Sequence, residues 1–134
     1  MLITREVDYA VRILRALADN KIISVREMCS REDISVSIAY KITRKLEKAG
    51  VIQSYRGTNG GYALKKSLDD ITLYDVIEIV DKELLITECL QDEYNCSRNT
   101  KSDICKLHQE FYRVQEILTG ELQSKSLSAV FSMS

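Results

Sequence analysis

Apolar residues recur at helical spacing in five stretches of the chain, and a residue able to cap a helix precedes each of them. The first stretch predicts a helix over residues 3–19, with Thr4 as its N-cap. The second stretch begins at Ser24, where Glu27 follows three residues later as in a capping box. The expected buried stripe of the first helix is Val7, Ala10, Val11, Leu14, Leu17 and Ala18.

The third stretch runs from Ser35 to about Ala49 and predicts a helix with two different faces. Ile38, Ile42 and Leu46 recur every four residues and form an apolar face. The opposite face carries Tyr40, Lys41, Arg44, Lys45 and Lys48. Gly50 then supplies a left-handed C-terminal stop. Such a helix has one side to bury and one basic side to present to a polyanion.

A two-stranded hairpin is predicted directly after this helix. Residues 51–56 are rich in strand-forming side chains, residues 57–61 contain an Asn-Gly turn signal, and residues 62–64 form the return strand. Helix, turn, basic helix and hairpin follow one another in the order of a winged helix-turn-helix. The predicted fold class is therefore mainly α, with a small two-stranded wing and a long C-terminal helix.

Two further helices are expected after the hairpin. Thr72 and Asp75 begin the fourth helix, and residues 91–102 are polar and irregular. Ser102 or Asp103 is expected to cap the last helix, in which apolar residues are spaced 3, 4, 3 and 4 apart. These residues are Ile104, Leu107, Phe111, Val114 and Leu118. A stripe of this kind is long enough to pair with another helix.

Length and charge limit what the chain can do. Its 134 residues allow one small domain with an appended helix, and they exclude a large catalytic barrel. No apolar run approaches the roughly 18 residues of a membrane span, and charged residues interrupt the N-terminus where a signal peptide would be apolar, so a cytoplasmic location is expected. The net charge of −1 conceals a basic half, residues 1–66 at +6, and an acidic half, residues 67–134 at −7. Only the first half is expected to meet a polyanion.

Three of the four cysteines lie close together, at Cys89, Cys96 and Cys105, and the only histidine follows at His108. Thiolates and imidazole are ligands of zinc and of iron–sulfur clusters. Cys105 and His108 are three residues apart at a helix start, so their side chains share a face. The spacing lacks a CxxC pair and does not favour a zinc finger. Cys29, in the second helix, is interpreted as a small buried apolar residue.

The basic helix and the hairpin form the predicted DNA-binding surface. A helix fits the major groove, and Arg56 at the base of the wing is expected to enter a minor groove. Gly60 and Gly61 at the tip leave room for close approach to DNA. Near the helix start, Ser35 and Ser37 are expected to bond phosphate. The candidate contacts are Ser35, Ser37, Tyr40, Lys41, Arg44, Arg56, Gly60 and Gly61. No nucleophile or phosphate-loop motif is present, so enzyme activity is not expected.

The residues in this order resemble the IscR/NsrR/CymR family of bacterial winged-helix regulators. The most specific part is the wing, Arg56-Gly57 followed by Gly60-Gly61-Tyr62-Ala63-Leu64. Further similar segments are Leu2-Ile3-Thr4, Asp8-Tyr9-Ala10, Ile34-Ser35, Lys45-Leu46, Ala49-Gly50-Val51-Ile52 and Ile71-Thr72-Leu73-Tyr74-Asp75-Val76-Ile77. With the three late cysteines, the resemblance extends over about residues 1–125.

This resemblance implies a homodimer in which the last helix crosses its partner, and a near-palindromic DNA operator. It also implies that Cys89, Cys96 and Cys105 hold an iron–sulfur cluster. His108 matches the fourth ligand of the IscR type, which binds a two-iron cluster. Asp8 matches the position from which the NsrR type draws a ligand across the dimer, onto a four-iron cluster. Both residues are present, so the cluster type stays open.

Two features depart from the family pattern. The gaps of six and eight residues between the cysteines are longer than is common in the family. Tyr40 and Lys41 stand where the IscR type has an acidic and an amide residue, so an operator sequence is not carried over.

The interpretation is a dimeric DNA-binding repressor controlled by an iron–sulfur cluster that reports cluster status, nitric oxide or oxidants. The first alternative is the same fold with a metal-free cysteine thiol switch. Others are a structural zinc protein and a module whose basic face binds an acidic protein. The expected division is a winged domain at 1–66, a connecting helix and cluster loop at 67–102, and a dimerisation helix and tail at 103–134. The expected dimer contacts are Leu107, Phe111, Val114 and Leu118.

Overall fold

The computed structural model describes residues 1–133 and contains six helices and one two-stranded sheet within them. The elements are α1 (Arg5–Ala16), α2 (Val25–Glu32), α3 (Val36–Lys48), β1 (Ile52–Tyr55), β2 (Gly61–Leu64), α4 (Leu73–Asp81), α5 (Lys106–Leu122) and α6 (Leu127–Phe131), with short 3₁₀ turns at Leu68–Asp70 and Glu88–Leu90. The predicted fold class, a mainly helical winged helix-turn-helix, is confirmed. None of the helices within residues 1–133 is long and apolar enough to cross a membrane.

Side-chain caps fix where the first helices begin. The Oγ1 of Thr4 accepts a hydrogen bond from the backbone N–H of Val7 at 3.3 Å, and Ser24 and Ser35 cap α2 and α3 in the same way. The capping box expected at Ser24 is only half formed, because the carboxylate of Glu27 instead pairs with Arg31 at 2.7 Å. The complete box lies at Thr72.

The core surrounds α1, which contacts α2, α3 and α4. Ile13 is fully buried there although it lies outside the predicted stripe, whereas Ala18 is exposed because α1 ends at Ala16. The other helices contribute buried residues to the same core: Met28 from α2, Ile42 from α3, and Val76, Ile77 and Val80 from α4. A buried Glu32 at the end of α2 accepts two hydrogen bonds from Arg15, which fixes α2 against α1.

The chain after α5 returns to the core around α1. Leu127 in α6 is fully buried in the core, and its backbone N–H donates to the carbonyl of Ile71 at 2.7 Å. The sequence pattern did not reveal α6, because five residues are too few to display a helical period.

The last long helix begins later than predicted. Its N-cap is Cys105, not Ser102 or Asp103. The reason is local: the N–H of Asp103 donates to the Oγ1 of Thr100 at 3.1 Å, and the N–H of Thr100 donates to the carbonyl of Asp103 at 3.0 Å. Residues 100–103 therefore close a turn of their own, and the helix starts after it.

Candidate functional site

Helix α3 buries Ile42 and Leu46, as predicted, and it also buries Ala39, whereas Ile38 of the predicted stripe is half-buried. Its basic residues lie on the outer side, with Lys45 half-buried. The structure pairs only part of that face. The Nζ of Lys41 lies 2.5 Å and that of Lys45 3.0 Å from the carboxylate of Glu6 in α1. Arg44 and Lys48 have no ion-pair partner within residues 1–133.

Lys45 is held from a second direction. Its Nζ also donates to the carbonyl of Val80 at the C-terminal end of α4, at 3.2 Å. The hydrogen bonds from Lys41 and Lys45 lower the pKa of the Glu6 carboxyl. Lys45 therefore ties α3 to α1 and α4 and is less free than Arg44 to meet another molecule.

A groove of about 430 Å³ separates α3 from the wing. Tyr40 lines it from α3, Ser54, Tyr55 and Thr58 line it from the wing, and Arg26 lines it from the first turn of α2. Arg26 was not a candidate from sequence. The signal available was its place two residues after the Ser24 cap, but only the packing of α2 against α3 and the wing brings it to this groove.

The wing pairs Ile52 with Leu64 and Tyr55 with Gly61 in antiparallel register. Arg56 therefore stands in the exposed loop that joins the two strands. The expectation that Arg56 lies at the base of the wing is wrong, because β1 already ends at Tyr55.

The two wing glycines are required for contacts inside the protein. Tyr62 exchanges two backbone hydrogen bonds of 2.9 Å with Ile23, which forms an isolated antiparallel β-bridge beside the wing. A Cβ on Gly61, which has φ +151°, would overlap the Ile23 carbonyl, and one on Gly60 would overlap the Tyr55 carbonyl. Close packing within the protein therefore explains the need for glycine at these two positions without any contact to DNA. Gly61 also belongs to β2, not to the tip.

The predicted cysteine site is assembled around one cavity of about 270 Å³. Cys89 reaches it from the 3₁₀ turn at 88–90, Cys96 from the loop, and Cys105 from the N-cap of α5. The side-chain carbonyl of Asn99 accepts a hydrogen bond from the N–H of Cys105 at 2.9 Å, and the N–H of Asn99 donates to the carbonyl of Cys96 at 3.0 Å. Asn99 therefore holds two of the cysteines together.

His108 completes the lining of this cavity. Its Nδ1 is buried and has no hydrogen-bond partner within residues 1–133. A buried polar atom without a partner is costly unless a ligand satisfies it. Leu107 and Phe111 supply apolar walls. Three thiols, an unpartnered imidazole nitrogen and apolar walls are a donor set that fits an iron–sulfur cluster. No group of three or more His, Cys, Asp or Glu residues among residues 1–133 is arranged to hold a single metal ion.

Asp8 and Cys29 lie apart from this cavity. The carboxylate of Asp8 pairs with Arg12 at 3.0 Å in α1 and does not line the cysteine cavity of its own chain. Cys29 is buried, as interpreted from the sequence, and burial raises the pKa of its thiol.

The predicted dimer stripe on α5 is only partly free. Leu107 and Val114 are exposed, whereas Phe111 and Leu118 are half-buried, Phe111 against the cysteine cavity. Ile117 is also exposed, at 55%, and extends the apolar surface beyond the residues expected from the 3, 4 spacing. We call the exposed set of Leu107, Val114 and Ile117 the α5 outer face.

A family model described as Rrf2, iron-dependent transcriptional regulator, matches residues 3–132. The chain belongs to the Rrf2 family. The resemblance expected from the wing motif is thereby confirmed, because relatives of this chain carry the names NsrR and IscR and solved structures similar to it carry the names CymR and IscR. Members of the family are transcriptional regulators that bind DNA and are not enzymes.

Curated relatives cover most of the chain. It is 30% identical to the HTH-type regulator NsrR of Halalkalibacterium halodurans over 144 residues, covering 95% of this chain and 97% of that protein. It is 31% identical to IscR of Klebsiella pneumoniae over 130 residues, covering 95% and 77%. For protein aau3 of Rhizobium meliloti, the identity is 32% over 99 residues, and the match spans 64% of that protein's length.

Solved structures share the fold over nearly the whole chain. CymR, described as the global cysteine regulator of B. subtilis, has a TM-score of 0.77 at 24% identity, covering 98% of this chain and 97% of that one. The oxidized form of Staphylococcus aureus CymR has a TM-score of 0.75 at 19% identity, covering 100% and 98%. IscR of T. potens has a TM-score of 0.72 at 20% identity, covering 98% and 91%.

Proposed function

We propose that this Rrf2-family regulator is a homodimeric repressor whose affinity for a near-palindromic operator is controlled by an iron–sulfur cluster. The proposed ligands are Cys89, Cys96, Cys105 and His108. The observation that carries the proposal is their convergence on one cavity, together with the buried and unpartnered Nδ1 of His108. The relatives named IscR and NsrR, and the family's description as iron-dependent, add support.

The residues around the cavity have separate tasks in this proposal. Asn99 orients Cys105 by accepting a hydrogen bond from its backbone N–H. Leu107 and Phe111 give the cavity an apolar wall beside the thiols. His108 must present a neutral imidazole nitrogen to serve as a ligand. The cluster, when bound, supplies a centre that reacts with oxidants and nitric oxide.

The proposed DNA contacts come from three elements. Ser37, Tyr40 and Arg44 lie on the outer side of α3, Arg56 lies in the wing loop, and Arg26 lies at the start of α2. Ser35 caps α3, so it contributes mainly by fixing the helix start. Lys41 can reach phosphate only by leaving Glu6. Gly60 and Gly61 give the wing its shape.

A physical route joins the cysteine segment to the DNA-binding surface. The segment begins directly after α4, whose last turn is tied to α3 by Lys45 and to α1 by the hydrogen bond from Thr4 to Asp81 at 2.5 Å. Loss of the cluster would remove the links from Cys89 and Cys96 to Cys105 and His108, and it would thereby change how the segment after α4 is held. Two states that hold α4 differently would bind DNA differently, which is the coupling that control requires.

The test begins with protein purified without oxygen. We expect a brown protein that contains iron and acid-labile sulfide, and whose affinity for an operator selected from random DNA changes when the cluster is removed. The variant Cys96→Ser should abolish the absorbance, and Cys29→Ser should leave it unchanged. A colourless wild-type protein that takes up no iron and sulfide in anaerobic reconstitution would overturn the proposal, and one zinc per chain would identify a structural metal site instead.

A metal-free thiol switch is the second candidate function. The same convergence of three cysteines on one cavity favours it, as does the likeness to CymR, which includes an oxidized form. Oxidation of two of these thiols to a disulfide, with a peroxide reduced to water or alcohol, would close the loop without metal. Metal-free protein treated with hydrogen peroxide should then show one disulfide among Cys89, Cys96 and Cys105 by peptide mass spectrometry, and operator affinity should change reversibly with dithiothreitol.

A further inference from the structure

A single glutamine anchors the middle of α5 to the segment that leads into Cys89. Within the described part of the chain, Gln115 is the one buried residue of the 17-residue helix α5, and it is 7% exposed. Its Oε1 accepts a hydrogen bond from the N–H of Ile86 at 2.9 Å, and its Nε2 donates to the carbonyl of Leu84 at 2.9 Å. The same Nε2 lies 3.2 Å from the Oγ1 of Thr119. One amide side chain thus pairs with two backbone groups of an otherwise irregular segment.

The anchored segment and the cysteine cavity lie on the same face of α5. His108, Gln115 and Thr119 stand at positions i, i+7 and i+11, which fall on one side of an α-helix. Phe111, between them, lines the cysteine cavity. At the other end of the segment, Ile86 is three residues before Cys89. Gln115 therefore fixes the distance between the irregular segment that precedes Cys89 and the helix that carries Cys105 and His108.

We propose that Gln115 is the positioning residue of the cysteine site, which sets Cys89 against Cys105 and His108 by clamping residues 84–86 to α5. The inference rests on the proposed function, because the purpose of this placement is to bring the cluster ligands together. Between α4 and the turn at 88–90 the chain has no regular secondary structure to set its path. A backbone of this kind needs side-chain partners for its buried N–H and C=O groups, and Gln115 supplies them.

The test uses metal-free, reduced protein, so that it does not depend on cluster assembly. Gln115→Met keeps the length of the side chain and removes both backbone partners. We expect hydrogen exchange at the Ile86 amide to accelerate at least tenfold, and alkylation of Cys89 by iodoacetamide to accelerate relative to Cys96. Gln109→Met is the matched control, because Gln109 is exposed on another face of the same helix. It should leave both rates unchanged.

A second variant separates positioning from simple loss of packing. Gln115→Glu keeps the acceptor for Ile86 but sets a carboxylate against the carbonyl of Leu84. Protonation of that carboxyl restores a donor, so protection of Ile86, corrected for intrinsic exchange, should return as the pH falls. Burial and the neighbouring Glu83 and Glu116 both favour the protonated form, and Tyr74 and Tyr112 line the same small cavity. A residue with a merely space-filling role would show no such rescue.

The cluster provides the final readout. In protein reconstituted without oxygen, Gln115→Met should lose its visible absorbance in air several times faster than wild type and Gln109→Met. Unchanged exchange at Ile86 in Gln115→Met would overturn the clamp, and faster exchange with an unaltered Cys89 alkylation rate would overturn its role in positioning. If wild type assembles no cluster, the proposed function fails, while the exchange and alkylation measurements still decide the role of Gln115.

Discussion

The Nζ of Lys45 in the recognition helix lies 3.0 Å from the Oε2 of Glu6 in α1. The other oxygen of the same carboxylate holds Lys41. Glu6 therefore pairs with two of the five residues that the sequence pattern assigns to the basic face of α3. This pairing keeps α3 seated on α1 and reserves the groove-facing side of the helix for other contacts.

Acid should weaken this connection. The lysines lower the pKa of Glu6, and a carboxyl whose pKa is depressed in the folded state contributes stability above its unfolded pKa, about 4.3. That contribution is lost as the pH falls through the folded value. We expect wild type to be more stable than Glu6→Gln near pH 7, and the difference to shrink below about pH 4. Urea unfolding at pH 7 and pH 3 measures it. Glu47→Gln is the matched control, because Glu47 accepts a hydrogen bond from Ser54 and not from a lysine.

Arg56 should contribute to operator recognition from the wing loop. Arg56→Ala should reduce operator affinity by about 1–3 kcal/mol if the guanidinium reads a groove, and by less if it meets phosphate alone. If Arg56 contacts phosphate, its loss in Arg56→Ala should make the negative slope of log K against log salt shallower by about 0.9. Fluorescence anisotropy titrations at several salt concentrations distinguish the two. Arg113→Ala, on α5 and paired with Glu110, is the control. Equal operator affinity of Arg56→Ala and wild type would remove Arg56 from the DNA-binding surface.

Gly61 should tolerate no side chain. An added Cβ meets the Ile23 carbonyl, so Gly61→Ala should destabilise the protein by about 1–3 kcal/mol, as expected for overpacking. The opposite effect is expected for Gly120→Ala, because Gly120 lies inside α5 and no atom lies within 4 Å of the Cβ that alanine would add. Alanine there should raise stability by up to about 1 kcal/mol. Thermal unfolding of both variants by circular dichroism checks the pair, and a neutral Gly61→Ala would contradict the close backbone approach.

The α5 outer face should carry the dimer. Phe111→Ala is expected to weaken dimerisation, since a buried Phe→Ala change costs about 3–5 kcal/mol, but Phe111 also lines the cysteine cavity. Ile117→Glu tests the face without touching that cavity. It should raise the dimer Kd by about two orders of magnitude, because an unpaired carboxylate is costly to bury. Sedimentation equilibrium measures this. Gln109→Glu adds the same charge to an exposed residue of α5 that does not belong to the α5 outer face, and it should remain dimeric. A monomeric wild type at micromolar concentration would exclude the dimer altogether.

The fourth ligand is tested by two variants. His108→Ala should lose the wild-type cluster absorbance, because its imidazole lies at the cavity with an unpartnered Nδ1. Asp8→Ala should retain it if the site is closed within one chain, and should lose it if the partner's carboxylate completes a four-iron cluster. Anaerobic reconstitution with absorbance and operator titration gives the comparison. Wild-type spectra and DNA responses in both variants would assign the fourth position to neither residue.

The sequence alone determined five of the six helices within residues 1–133, the hairpin and the resemblance to the family. These features depend on residues that are close together in the sequence, so the sequence alone reveals them. Examples are the caps Thr4 and Ser35, the apolar period of Ile38, Ile42 and Leu46, and the Asn-Gly turn. The cysteine site was also predictable, because Cys105 and His108 are neighbours on one helix and the other two cysteines are close along the chain.

Tertiary structure alone decided which of these residues are free. Glu6 is 35 residues from Lys41, and Gln115 is 29 from Ile86, so no local period connects them. Arg26 reaches the groove only through the packing of α2, and Gly61 is constrained only because Ile23 returns to pair with Tyr62. Pairings of this kind depend on the orientation of whole elements against each other. That orientation is set by burial of the common core, in which each residue's partner is chosen by shape and distance rather than by position in the sequence.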